Sequence, residues 1–176
     1  MAQFVAFDPH AQVKGVGLQV YVAALGEKAR EVLQAYGFDR IDPDAWYPQQ
    51  QFLDALRELA EGDFNASMDM VHVGTKIPEF APWPPGVHTA EDALVNLNAA
   101  YRMHHRGKVG EYQVEQVGER QFVINVRTPY PCDFDYGIIY ATARHYLPEG
   151  THLVVEHAED SCRKNGDDCC TYYVRW

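Results

Sequence analysis

Glu111-Tyr112-Gln113-Val114-Glu115-Gln116-Val117, then Gly118-Glu119, then Gln121-Phe122-Val123-Ile124-Asn125-Val126, is the stretch from which the fold class follows. Polar and apolar residues alternate in the first run, and β-prone residues fill the second. Two such runs flanking a short glycine turn predict an antiparallel hairpin turning at Gly118-Glu119. Upstream the period is different: apolar residues recur at three- and four-residue steps, as on one face of a helix. The change comes at Gly107, where a helical first half gives way to a strand-rich second half.

Working back from the hairpin, Thr89-Ala90-Glu91-Asp92 reads as a capping box with Asp in the acidic position. It opens a helix whose Leu94, Leu97, Tyr101 and His104 or His105 share a face and which ends at Arg106-Gly107. Proline-rich Ile77 to Val87 predicts a loop. Helices are predicted over Asn65–Val73, over Pro48–Ala60 with Phe52, Leu53, Leu56 and Leu59 in a stripe, and over Gly17–Tyr36, closed by a C′ glycine at Gly37 and apolar Phe38. Gly26 weakens the middle of that first helix. Working forward, Asp133–Tyr146 predicts a helix, and Thr151–His157 and Cys169–Trp176 predict strands. The expectation is an α+β protein: N-terminal helices followed by a β-β-α-β-β antiparallel sheet unit, in one domain spanning residues 1–176.

Composition narrows the function. The chain has 176 residues, 47% hydrophobic, with 15 Lys+Arg against 25 Asp+Glu and a formal net charge of −10. Such a balance lacks the basic stripe of a nucleic-acid binder and is unsuited to anionic membranes. No apolar run is long enough to span a bilayer, and the N-terminus has no basic start, so a cytoplasmic protein with reduced thiols is expected. There is no Gly-x-Ser-x-Gly elbow, phosphate loop or dinucleotide fingerprint in context, so the expectation is of a binding protein rather than an enzyme.

All four cysteines fall near the end: Cys132, Cys162, Cys169 and Cys170. Gly166 turns the chain between Cys162 and Cys170, bringing two soft ligands together as half of a tetrahedral zinc site, and Glu159 can add an oxygen. Cys132, at the start of the Asp133 helix, is the natural fourth ligand, because a helix N-terminus favours a thiolate. Strand alternation turns Cys170, Tyr172, Val174 and Trp176 inward and Cys169 outward. Plain burial as small hydrophobes is the competing reading of these thiols.

Cys162-x3-Gly166-x3-Cys170 preceded by Glu159 resembles the vinyl-reductase-like domain family, which includes sensory domains of phenol-responsive bacterial activators. Its members share a fold with haem nitric-oxide-binding domains and TRAPP vesicle-tethering subunits. The resemblance implies that fold, and a structural zinc ion on Cys132, Glu159, Cys162 and Cys170. It also implies a stand-alone ligand-binding, regulatory module whose apolar small molecule lies between helices and sheet. Candidate lining residues are Tyr21, Trp46, Tyr101, Phe122 and Tyr140, which core packing explains equally well.

Two alternatives follow from the same resemblance. One is a haem-binding or tetrapyrrole-processing accessory protein using His104, on the helix before the hairpin. Related haem domains grip the propionates with Tyr-x-Ser-x-Arg, whereas the corresponding strand here reads Ile124-Asn125-Val126-Arg127-Thr128; Tyr140-Ala141-Thr142-Ala143-Arg144 falls on the following helix. The other is a scaffold or tethering subunit without ligand. A homodimer and a separate effector protein, basic to suit the acidic surface, are the expected partners.

Overall fold

The computed structural model describes residues 3–62 and 64–176; Met1, Ala2 and Asp63, which include the start of the N-terminal reading, lie outside them. The chain begins with strand β1 (Gln12–Lys14), flanked by β2 (Trp46–Pro48) and β3 (His105–Arg106) in a small antiparallel sheet of order β2-β1-β3. None of these three strands was expected. Each is two or three residues long, too short to show a period, and only tertiary pairing creates them.

The helix predicted over Gly17–Tyr36 is two helices, α1 (Gly15–Leu25) and α2 (Glu27–Ala35). Gly26 separates them at φ +61 and ψ −130, a backbone conformation essentially restricted to glycine. The break lets α1 bury Leu18, Val20 and Tyr21 while α2 buries Ala29 and Leu33 along a different line. At the far end Phe38 N–H donates to Leu33 O and Gly37 N–H to Gln34 O, both at 2.9 Å, with Gly37 at φ +85. That is the Schellman pattern, and the C′ glycine reading holds.

Helix α3 (Gln49–Glu61) starts just after Pro48 and buries the expected stripe. Helix α4 (Ala66–Phe80) runs seven residues past its predicted end, taking Pro78 into its last turns. A proline there forfeits one helical hydrogen bond, a cost packing can cover. That packing is against α7 (Cys132–Tyr146), at a crossing where a Cβ on Gly74 would stand 2.3 Å from Phe134 O and one on Gly137 would stand 2.2 Å from Val71 O. Two glycines thus set how closely the backbones approach.

The capping box forms as read, with Asp92 N–H on Thr89 Oγ1 at 3.0 Å and Thr89 N–H on Asp92 Oδ2 at 3.1 Å. Its helix is interrupted at Asn96, giving α5 (Ala90–Val95) and α6 (Leu97–Met103); there Asn96 donates to Asp92 O through both its backbone N–H, at 3.0 Å, and its side chain, at 2.8 Å. His104 therefore caps a helix end instead of sitting within a helix, and His105-Arg106 turns into β3.

Strands β4 (Glu111–Gly118) and β5 (Gln121–Arg127) form the hairpin. Its turn is displaced by one residue, with Arg120 at φ +56 and a register shift between Gln116 and Gly118. After α7 come β6 (Val154–His157) and β7 (Cys170–Arg175), completing a four-stranded antiparallel sheet of order β4-β5-β7-β6. The α+β order and the β-β-α-β-β unit are as expected. Phe122, Ile124 and Val126 stand opposite Val174, Tyr172 and Cys170, and this row is the sheet's buried face. Among the described residues no helix is long and apolar enough to cross a membrane.

Candidate functional site

Four chain segments meet at one end of the main sheet. Cys132 is the first residue of α7, His157 the last of β6, Cys170 the first of β7, and Cys162 lies in the loop between those two strands. Their ligand atoms, three sulfurs and an imidazole nitrogen, all lie within 4.8 Å of one another. Cys132 Sγ is 3.0 Å from Cys170 Sγ and 3.6 Å from Cys162 Sγ. All three thiols are buried, and His157 Nε2 is buried without a hydrogen-bond partner. An orphaned imidazole nitrogen beside three thiols is a complete Cys3His donor set, of the kind that closes around zinc.

The loop geometry is local. Cys162 O accepts from Asn165 N–H at 2.9 Å, Cys162 N–H donates to Asp167 Oδ2 at 2.9 Å, and Gly166 takes φ +96 to return the chain. Glu159, expected as the oxygen ligand, is exposed in the turn beyond β6 and outside the converging group. His157 occupies that place: it stands opposite Tyr172 on the buried face and stacks on its ring at 4.7 Å. Strand alternation carried from Tyr172 to its partner could have found it. Cys169 stays apart, its sulfur 3.6 Å from Ser161 Oγ.

The centre is electrostatically prepared. The hydrogen bond between Cys132 and Cys170, with Arg163 against the Cys170 sulfur, pulls Cys170 down to about 4, while that hydrogen bond and burial push Cys132 up. Arg163 N–H and Nε–H reach Cys170 Sγ at 3.3 and 3.4 Å. Its guanidinium also donates to Thr128 O and to Asp135 Oδ2. Asp135 is fully buried and accepts from Tyr112 Oη at 2.5 Å and Thr128 Oγ1 at 3.0 Å. Desolvation raises its carboxyl to about 6 against the pull of Arg163.

A second feature lies on the helical side: an apolar cavity of about 80 Å³ walled by Tyr21, Trp83, Tyr101, His104, His105 and Tyr112 among others. Of the predicted lining residues, Tyr21, Tyr101 and His104 border it. Trp46 lies elsewhere, under the Arg106 guanidinium at 3.8 Å; Phe122 stacks on Trp176, and Tyr140 on Tyr136. His104 Nε2 meets Pro82 O at 3.3 Å, and because a carbonyl only accepts, that nitrogen carries the proton. Its Nδ1 has no partner, and burial lowers its pKa, so the ring is neutral. His105 was a missed wall residue. Its Nδ1 lies 2.9 Å from Tyr101 O and its Nε2 2.7 Å from Tyr130 Oη, with the ring stacked on Tyr101 at 4.0 Å.

No protein-family model matches this chain, and no curated protein matches it. Solved structures do. An H-NOX protein from S. oneidensis, as a triple mutant in the Fe(II) ligation state, superposes with a TM-score of 0.68 at 14% identity over 92% of this chain and 95% of that one. The same protein in the Fe(II)NO state gives 0.68 at 14% identity over 92% and 98%. A mutant H-NOX from T. tengcongensis gives 0.64 at 17% identity over 92% and 93%. The chain therefore has the α+β fold of haem nitric-oxide-binding domains.

Proposed function

We propose that the chain is a ligand-sensing, regulatory module in which a structural zinc ion braces the C-terminal strands and an apolar small molecule occupies the cavity. The observation that carries this reading is the Cys132, His157, Cys162 and Cys170 group, a full tetrahedral donor set assembled from α7, β6, the loop and β7. Such a set leaves no open position for an activated water, so the zinc is a brace and not a catalyst. It ties together strands that share their buried face with α7, and so supports the wall on which Tyr112 stands.

Haem does not fit the residues present. A cavity of about 80 Å³ is well below the ~300–1,000 Å³ of pockets for drug-sized ligands. Among the described residues lining it there is no Lys or Arg to meet two propionates. Ile124 and Val126, on the strand where the sequence lacks a Tyr-x-Ser-x-Arg run, are buried apolar side chains of the sheet. A small uncharged molecule suits this site better. As a separate protein, an effector with a basic face would suit the net charge of −10, and a homodimer completes the reading.

Elemental analysis of the purified protein tests the reading. About one equivalent of zinc is expected, with Cys132, Cys162 and Cys170 protected from thiol reagents until a chelator is added and Cys169 reactive throughout. Protein free of metal with four freely reactive thiols overturns it. For the cavity, xenon is the probe, since small dry cavities take it up; shifts confined to Tyr21, Trp83 and Tyr101 signals are expected, and none would remove the ligand site.

A further inference from the structure

The metal group and the cavity are joined by one buried hydrogen-bonded chain. Arg163 is 2% exposed and Asp135 is 0% exposed, so neither has water to turn to. On one side Arg163 touches Cys170 Sγ through its backbone N–H and its Nε–H. On the other its guanidinium is held by Asp135 and by Thr128 O. Asp135 also takes the Tyr112 hydroxyl at 2.5 Å, and the Tyr112 ring is a wall of the cavity, edge-on to Tyr101 at 5.4 Å.

We propose that Arg163 and Asp135 are positioning residues for the metal centre, and that through Tyr112 they link its loading to the shape of the cavity wall. This rests on the metal reading above. Three thiolates, a neutral imidazole and a divalent ion carry a net charge of −1 in a buried place, and the guanidinium against Cys170 offsets it. Asp135 fixes the direction from which that guanidinium approaches. Metal binding at Cys170 changes the charge that Arg163 faces through its N–H and Nε–H contacts to the sulfur, and any shift of the guanidinium passes to Asp135 and so to Tyr112. Coupling of this kind is reciprocal: whatever alters the wall through Tyr112 alters affinity for the metal.

The experiment is a cobalt(II) titration of the metal-stripped full chain, in competition with a chelator and followed by thiolate-to-cobalt absorption. Arg163→Lys, which cannot fork between Cys170 and Asp135, is expected to weaken cobalt binding about 10–100-fold, as outer-shell changes at metal sites do. Tyr112→Phe, which touches no ligand, is expected to weaken it about three- to tenfold through the lost hydrogen bond to Asp135. Tyr101→Phe is the control. It removes an equally buried hydroxyl from the same wall, but one whose partner is Val109 O, and is expected to leave cobalt affinity unchanged. Equal affinities for the Tyr112 and Tyr101 variants overturn the coupling, and so does wild-type affinity in Arg163→Lys. If Arg163→Lys does not fold, the Tyr112 against Tyr101 comparison decides. A wild type that takes up no cobalt overturns the metal reading as well, whereas wild-type uptake with unaffected variants overturns the coupling alone.

Discussion

His157 stands directly across from Tyr172 in the β6–β7 pairing and stacks on its ring at 4.7 Å, and this pairing holds the imidazole beside three buried sulfurs. On the zinc reading proposed above, this separates two nearby side chains. His157→Ala removes a donor and is expected to weaken zinc affinity by at least about 100-fold, more than an outer-shell change would. Glu159→Gln, on an exposed turn, is expected to leave it unaltered. Chelator competition on both variants measures the difference, and the opposite order would restore Glu159 as the ligand.

Metal removal is expected to lower the melting temperature and to loosen the C-terminal strands first. The centre draws together the starts of α7 and β7 and the end of β6, so its loss frees β6 and the Cys162 loop while the helices stay packed. Hydrogen exchange with and without chelator checks this. Protection should fall over Val154–His157 and 162–170, and hold over α3 and α4.

Acidification is expected to destabilise the protein between about pH 6.5 and 3 through His105. Burial first, with the charge of Arg102 and that of His104 once it is protonated in acid, lowers its pKa to about 3, although its bond to Tyr101 O works the other way. In that window the unfolded chain binds a proton that the folded chain refuses, so stability falls as pH falls. Asp135 acts in the opposite sense between about pH 4 and 6. Its carboxyl is raised to about 6, so the folded state holds the extra proton, and stability from this group is lost as pH rises through that range. Denaturant melts of wild type and His105→Phe across pH 3–7 separate the two: the variant should lose less stability on acidification.

Gly74 and Gly137 face each other where α4 crosses α7. A methyl on either meets backbone at 2.2–2.3 Å and has no flexible side chain to push aside. Gly74→Ala and Gly137→Ala are each expected to cost about 1–3 kcal/mol or more. The helices would also be pushed apart next to Phe134 and Ile138, which line the cavity, so thermal melts and xenon uptake should both change.

Much of this architecture was legible in the chain. The change of period at Gly107, the capping box at Thr89, the Schellman close at Gly37-Phe38 and the outward turn of Cys169 all depend on residues near one another in sequence, where local sterics and alternation act. The inner row Cys170, Tyr172 and Val174 followed from the same alternation. Local pattern failed where a local rule had a distant competitor. The Gly17–Tyr36 stripe continues through Gly26, but burial of two different faces favours a break there. The α4 stripe stops at Val73, but packing on α7 carries the helix through Pro78.

The sites divide in the same way. From spacing and a glycine turn, which are local facts, the chain offered Cys132, Cys162 and Cys170 with Glu159 as a group of ligands near the C-terminus, and burial of the thiols as small hydrophobes as the rival reading. It could not choose His157 over Glu159, two residues apart, since that choice depends on the strand opposite. Nor could it show that Tyr21, Trp83, His104 and Tyr112, spread over some ninety positions, wall one cavity. Both groupings, His157 beside the three sulfurs and the residues around the cavity, come from the fold, because the neighbours of a buried polar atom or an apolar wall are set by segments far away in the chain that packing brings within reach.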